Sequence, residues 1–451
     1  MRIATNAAGR ILLPLLLLWS SVACSGGQEG PREPQPLPSA ATAEAPKAEA
    51  PQAKPEQDRF QDVRSYLQGL VAEKKIAGAV VMISQDGKVL YLDAMGMQDV
   101  EAGKPMRSDA IFRICSMTKP ITSVAAMMLV EEGKLSLTDP LSKFVPEFKK
   151  VTVATPDPAK KGAYKLEKAQ REITVQDLLT HTSGLTYRFL ADPYFLKLYT
   201  DAGISDGLAE TKGTIADQAK KLAALPLVHQ PGAAWTYGLS TDVLGRVLEV
   251  ASGKTLEELF YERLFKPLQM NDTHFHLPAK EEPRLAAVYQ PTKDQTIERL
   301  PAGTVQNGGA AYSASYPLDR NGKYFSGGAG LVSTAKDYGR FAQMLLNGGE
   351  LEGARLLKKE TVELMTRNHA GESVPKALGG FGLGFGVITD AQKDGDQGSV
   401  GTFSWAGFYN TQFWVDPQKK LVAVLLTQLH PAEHLGMSEA FRKQVYAALG
   451  K

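Results

Sequence analysis

A serine placed three residues ahead of a lysine can carry its own base, because on a helix positions i and i+3 share a face. The chain holds this S-x-x-K spacing three times, as Ser116-Met-Thr-Lys119, Ser333-Thr-Ala-Lys336 and Ser373-Val-Pro-Lys376. Spacing does not choose among them, so the surroundings must. Ser373 has a proline inside the would-be turn and lies in a Gly-rich stretch, which predicts a loop. Ser333 precedes the amphipathic run Tyr338 to Leu346, where a serine serves as a helix N-cap. Ser116 follows the apolar Ile111-Phe-Arg-Ile-Cys115 and opens a helix, Ile121 to Glu132, whose Ala, Met and Val content predicts full burial. At such a junction a serine can project into a cleft, with a free backbone N–H at the helix start for a developing oxyanion. These residues alone leave Ser116 open between nucleophile and N-cap.

A lysine acting as a base must be neutral, which asks for burial or a neighbouring group that disfavours its charge. A second proton acceptor would help, and Tyr237, in Trp235-Thr-Tyr237-Gly-Leu-Ser240, stands at the start of the apolar helix Val243 to Val250. A lone tyrosine there would otherwise be ordinary amphipathic packing. His274 and His276 alternate as on a strand with no carboxylate cluster beside them, so no metal site is expected. His181 is expected to be a structural hydrogen-bonding residue, and Cys115, flanked by apolar residues, a buried inert thiol.

These residues need elements to hold them. The chain has 451 residues, 51 Lys+Arg against 49 Asp+Glu, a formal charge of +2, and 43% hydrophobic residues. That is a globular balance with no basic block for a phosphate backbone, which argues against nucleic acid as a partner. Two cysteines, Cys24 and Cys115, exclude a disulfide framework and a cysteine-built zinc site. Phe60, Val63, Leu67, Leu70 and Val71 recur at helical spacing, and the strand-like runs Ala79 to Ser84 and Lys88 to Ala94 flank Asp86-Gly87, a hairpin signal. The C-terminal end mirrors this: Thr411 to Val415, a turn at Asp416-Pro417, Leu421 to Leu426, then a helix from about Ser438 to Leu449. One antiparallel sheet assembled from both ends and flanked by helices is predicted, an α/β (α+β) fold. Residues 58–138 and 321–451 would form the sheet lobe and 139–320 a mainly helical lobe, with the polar, Lys-rich stretch from Thr152 to Arg171 as a surface loop.

The N-terminus reads differently. Arg2 and Arg10 precede the apolar run Ile11 to Trp19, shorter than the roughly 20 residues of a membrane-spanning helix, so residues 1–23 are expected to be a signal peptide. Small residues at Ser21 and Ala23 suit ordinary signal peptidase. Cys24 directly after them resembles a bacterial lipobox, with Ser21 where a lipobox usually has Leu. The expectation is export with lipidation at Cys24, soluble secretion being the alternative. Residues 24–57, almost without large apolar side chains, would be a disordered Pro/Ala/Glu-rich tether.

Phe112-Arg-Ile-Cys-Ser116-Met-Thr-Lys119, Asp177-Leu-Leu-Thr-His181-Thr-Ser-Gly-Leu185, Gln230-Pro-Gly-Ala-Ala-Trp-Thr-Tyr237 and Ser326-Gly-Gly-Ala-Gly-Leu-Val-Ser333 resemble the serial signatures of the β-lactamase-related serine hydrolases. Trp405-Ala-Gly407 resembles the W-x-G motif of family VIII carboxylesterases within that group. The resemblance runs from about Phe60 to Leu449 and implies a β-lactamase/penicillin-binding-protein-like fold across residues 58–451. It implies that Ser116 is the acylated nucleophile, Lys119 its general-base partner, and Tyr237 the phenol that carries the proton to the leaving group. It also implies an oxyanion hole from the backbone N–H groups of Ser116 and Phe408, with Trp405 and Gly407 lining the substrate site and no cofactor. S-x-x-K together with K-T-G marks β-lactamases and penicillin-binding proteins, but here Trp405 stands where the lysine of K-T-G would be. Leu239 replaces the asparagine of Y-x-N, and Ala406 stands where the esterases often have Gly. Gly253-Lys254-Thr255 is no substitute, because Thr255 with Glu258 reads as a capping box after a helix-ending Gly253.

The missing lysine removes a contact to a penicillin-like carboxylate, worth roughly 1.5 to 3 kcal/mol, while neutral esters lose nothing. The expected function is an exported serine carboxylesterase acting through an acyl-enzyme on a small-molecule ester or amide. β-Lactam or D-amino-acid peptide hydrolysis, acyl transfer to an alcohol, and a non-catalytic penicillin- or cell-wall-binding lipoprotein are the alternatives.

Overall fold

β-Branched and aromatic runs at the two ends of the chain meet in one antiparallel sheet. In this computed structural model, which describes residues 59–160, 162–375, 378–390 and 398–450, the main sheet has eight strands. In chain order they are β1 (Gly78–Gln85), β2 (Lys88–Asp99), β3 (Lys104–Pro105), β4 (Gly380–Phe381), β5 (Gly386–Val387), β6 (Phe403–Gly407), β7 (Thr411–Asp416) and β8 (Leu421–Leu426). Their spatial order is β4-β5-β6-β7-β8-β1-β2-β3, so the N-terminal hairpin lies against the C-terminal strand, Val80 opposite Leu426. Asp86 and Gly87 take φ of 51° and 77°, the mirror-image turn that matches strand twist. The expected signal peptide, Cys24, the tether and Lys376 lie outside the described residues.

β1, β7 and β8 are buried on both faces. Period 2 sends Val81, Ile83, Trp414 and Leu425 to one side, where α1 (Gln61–Ala72) and the C-terminal helix, Met437–Leu449, cover them. Val80, Met82, Phe413 and Val424 face the other side and pack under α2 (Thr118–Glu131) and the helix Ala335–Leu346. α2 begins three residues earlier than its apolar pattern suggests. Pro120 falls in its first turn, where a missing N–H costs no intrahelical bond. With nearly every residue of α2 buried, it forms the middle of the core, against α3 (Ser240–Ser252). α3 ends at Gly253 with φ 70°, followed by the reciprocal Thr255–Glu258 cap.

Between Asp139 and Arg320 the chain adds short helices and three small hairpins, Thr152–Pro156 with Tyr164–Lys168, Tyr289–Pro291 with Ile297–Arg299, and Thr304–Asn307 with Ala310–Ser313. The first corrects the expected surface loop at Thr152 to Arg171. Val153 and Ala154 are buried, and Ala154 N donates to Leu227 O at 2.9 Å, so one strand is anchored while its lysine-rich partner faces solvent.

Candidate active site

The approach to Ser116 is a two-residue strand, Phe112–Arg113, paired with Val332–Ser333. Arg113 is buried and its guanidinium donates to the carbonyls of Ala286 and Ala314 and to Gln428 Oε1. Those bonds tie the strand to three distant segments. The chain then turns through Cys115, a non-glycine residue at φ 44°, a conformation that persists only where its surroundings enforce it. Ser116 follows in a single 3-10 turn, Cys115–Met117, which leads into α2. Its hydroxyl caps no helix, since the residue capping α2 is Met117 and makes no side-chain cap bond. The choice left open by the sequence therefore falls away from the N-cap.

Lys119 is the second residue of α2, 1% exposed. Its amine has three acceptors: Ser116 Oγ at 3.1 Å, Tyr187 Oη at 2.9 Å and Gly328 O at 2.8 Å. An ammonium has three N–H donors, so this set is complete. A neutral amine keeps two N–H donors and one lone pair. With Tyr187 and Gly328 taking the donors, the lone pair faces the Ser116 hydroxyl.

Each neighbour is built in. Burial, with Tyr237 and Asp242 nearby, pushes the Tyr187 phenol well above its ordinary pKa, so it stays neutral beside the amine. Asp206 braces the same loop, accepting from Arg188 N at 3.1 Å and Arg188 Nε at 3.0 Å. Gly328 sits in the loop Ser326 to Gly330. Ser326 Oγ donates to the fully buried Asp242 at 2.6 Å and accepts from Ala329 N at 2.9 Å. A side chain at 328 would collide with Asp242 Oδ2 and crowd Tyr187 Oη, so only glycine lets this carbonyl reach the lysine.

Tyr237 stands over the site with its ring centroid 4.7 Å from Lys119 Nζ. Its oxygen accepts from Trp405 Nε1 at 3.3 Å. Trp405 lies on β6, and its ring packs against Tyr237 and Phe381 at 5.4 and 5.3 Å. Two residues on, Gly407 is pressed against Ile114 O and Thr411 Oγ1, with no room for a Cβ. Gly407 O accepts from Asn410 N at 3.0 Å, closing a turn with Phe408 at its second position. Ser116, Tyr237, Trp405, Gly407 and Phe408 line one cavity of about 910 Å³ with Phe189 and Leu378. All the expected site residues in the described chain are thus brought together.

Others are placed apart. Ser333 is in the short strand beside Arg113, its hydroxyl 2.8 Å from Thr273 Oγ1. The cap of the helix Ala335–Leu346 is Thr334, not Ser333. Ser373 lies in a 3-10 turn and donates to Ala370 O at 2.6 Å. His274 Nε2 is 3.1 Å from Glu281 Oε2. Burial pushes the Cys115 thiol up to about 12, so it stays an unreactive thiol. His181 lies beside the site. Its ring is enclosed by Trp235, Tyr237 and Phe381, Nδ1 has no hydrogen-bond partner among the described residues, and burial holds it neutral. It packs the wall behind Tyr237, and its backbone carbonyl accepts from Thr236 N at 2.8 Å.

Sequence reasoning missed Tyr187 and the Gly328 carbonyl. Gly328 was inside a recognised glycine-rich motif, but a backbone acceptor carries no side-chain signal. Tyr187 follows Leu185 by two residues, and nothing local says that it meets residue 119.

A model of the beta-lactamase family matches residues 63–447. Esterase EstB of Burkholderia gladioli is 32% identical, over 83% of this chain and 92% of its own length. Protein Rv1367c of Mycobacterium tuberculosis is 37% identical, over 79% of this chain and 86% of its own. Among solved structures, EstCE1, described as a hydrolase with promiscuous acyltransferase activity, superposes with a TM-score of 0.74 at 30% identity, covering 87% of this chain and 99% of its own.

Proposed function

The chain belongs to the beta-lactamase family, as a serine hydrolase of its esterase-like branch, and on that premise we propose that it cleaves neutral carboxylic esters through an acyl-enzyme on Ser116. The observation that carries this reading is the saturated lysine. Two fixed acceptors aim the third position of the Lys119 amine at the serine hydroxyl.

In the first step Ser116 Oγ bonds to the ester carbonyl carbon while its proton passes to Lys119. The carbonyl oxygen, now negative, sits between the N–H groups of Ser116 and Phe408. Because Trp405 occupies the oxygen of Tyr237 as a donor, the phenol's own O–H is free to turn toward the leaving group. As the C–O bond breaks, Tyr237 gives that proton to the departing alkoxide and is reprotonated from Lys119. Water then repeats the sequence in reverse and releases the acid.

The cavity supports uncharged substrates. Phe189, Leu378, Trp405 and Phe408 give it an apolar surface for an acyl group, while its charged lining, Asp390, Glu439 and Arg442, has both signs and comes from other segments. No cation stands at the Trp405 position to receive a lactam carboxylate. The same apolar wall favours an alcohol over water as acceptor, the one observation in favour of acyl transfer as a second activity. On the sequence reading, the enzyme is exported and held at a membrane through Cys24 by a tether.

The test is kcat/KM for a p-nitrophenyl acyl ester and for nitrocefin, with product analysis in added short-chain alcohol. The ester should be preferred by at least a hundredfold. A lactam-favouring ratio would overturn the esterase reading, and transesterified product would establish the second activity.

A further inference from the structure

Phe408 is held from behind by a residue that the cavity does not touch. His430 follows β8, and its backbone N donates to Tyr289 O at 3.1 Å. Its ring lies on the Phe408 ring with centroids 3.6 Å apart and planes 24° off parallel. Its Nδ1 is 3.0 Å from Phe408 O. A carbonyl only accepts, so Nδ1 carries the hydrogen. Burial keeps the imidazole below its usual pKa, with only Glu433 and the carbonyl opposing. Tyr312 closes the third side, edge-on to His430 at 5.3 Å and tilted against Phe408 at 5.1 Å.

The turn it grips is held elsewhere too. Thr427 Oγ1 donates to Tyr409 O at 3.3 Å and Asn410 O at 3.2 Å, and Leu429 N donates to Tyr409 O at 3.2 Å. These bonds fix residues 409 and 410. Among the described residues, His430 is the one that holds residue 408 by its ring and its carbonyl at once. The N–H of Phe408 belongs to the preceding peptide, whose carbonyl, Gly407 O, already accepts from Asn410 N. Locking the ring and the carbonyl of Phe408 leaves its φ with one setting, and so one direction for that N–H.

We propose that His430 is a positioning residue for the oxyanion hole: it clamps Phe408 so that its backbone N–H faces the carbonyl oxygen of a substrate on Ser116. This rests on the proposed role of Ser116 and Phe408. An oxyanion donor acts only while it points within a few tenths of an ångström of where charge develops. Losing one such donor outright costs about 10² to 10³ in kcat, and a donor left to wander should cost part of that.

The experiment compares wild type with His430→Phe, which keeps the stack and loses the donor, and His430→Asn, whose amide can donate to the same carbonyl. Steady-state kinetics on a p-nitrophenyl ester, the rate of fluorophosphonate labelling and the melting temperature are read on each full chain. The expected result for His430→Phe is a kcat lower by roughly ten- to thirtyfold, by partial loss of the oxyanion donor, with KM within about twofold. Labelling should slow in parallel, and His430→Asn should recover most of the loss. A folded His430→Phe that labels and turns over like wild type overturns the clamp while leaving the serine reading intact. So does a loss that tracks melting temperature and is not recovered by Asn. Should His430→Phe fail to fold, His430→Leu, which also lacks the donor, takes its place beside His430→Asn: a loss of kcat in Leu that Asn largely recovers supports the clamp, and equal kcat in the two folded variants overturns it. Wild type that neither labels nor hydrolyses the ester overturns both readings together.

Discussion

Ser116 with Lys119 and Ser333 with Lys336 share a spacing and almost nothing else. In the first pair the serine occupies a 3-10 turn continuous with a helix buried on nearly all sides, and the lysine points into the core at its partner. In the second the serine ends a two-residue strand, and Thr334 between it and the helix takes the cap. Ser333 is therefore not on the helix, and Lys336 falls on the solvent face of an amphipathic one. An i, i+3 spacing brings two side chains together only when both residues are in the same helical turn. It makes a catalytic pair only when that turn opens on a cavity.

The sharpest way to break the contrast is at the serines. Ser116→Ala should abolish ester hydrolysis, a loss of more than about 10³-fold, and end fluorophosphonate labelling. Ser333→Ala should leave both intact and cost about 1 kcal/mol of stability through the lost Thr273 bond. Persistent labelling in Ser116→Ala would reverse the assignment.

At the lysines the effect should be smaller and still one-sided. Lys119→Ala should lower kcat by roughly 10² to 10⁴, the range for a positioned base, and Lys336→Ala should change nothing. Tyr187→Phe, which removes one of the two acceptors that aim the amine, should cost roughly tenfold in kcat. Equal losses from the two lysine variants would show that Lys119 has no special place in the proton transfer.

The smallest effect probes the brace behind Tyr187, which the second region lacks. Burial outweighs the Arg188 contact and raises the Asp206 carboxyl from 3.8 to about 6. The folded chain therefore holds this proton to higher pH than the unfolded chain does. The stability so gained is complete below about pH 4 and is lost as pH rises through about 6. Asp206→Asn removes that decline, so its stability relative to wild type should rise between pH 4 and pH 7 by up to about 3 kcal/mol. Denaturant unfolding at the two pH values checks it, and parallel curves would mean that Asp206 is ionised throughout.

Much of this was legible in the chain. The two terminal hairpins, their closing helices and the Thr255–Glu258 cap depend on period-2 and period-3.6 patterns and on turn residues such as Asp86-Gly87, which act over a few neighbours. The lysine-rich stretch after Thr152 has the local signature of a loop because its anchor, Leu227, is 75 residues away from Thr152. The apolar pattern starts α2 at Ile121, three residues late, because Thr118, Lys119 and Pro120 in its first turn add nothing to an apolar run.

At the site the division has the same cause. Residue identity determined which chemistry was available: a hydroxyl and an amine in one turn, a phenol, an indole where a cation would otherwise stand, and a glycine at 407. Tertiary structure decided which serine shares a turn with its lysine and opens on the cavity, and which acceptors, Tyr187 and the Gly328 carbonyl, orient the amine. It also decided that His430 stands behind Phe408, at the end of β6. Those contacts join segments separated by 22 to 209 positions. No local propensity encodes them, because a hydrogen bond between distant segments exists only once the core between them has packed.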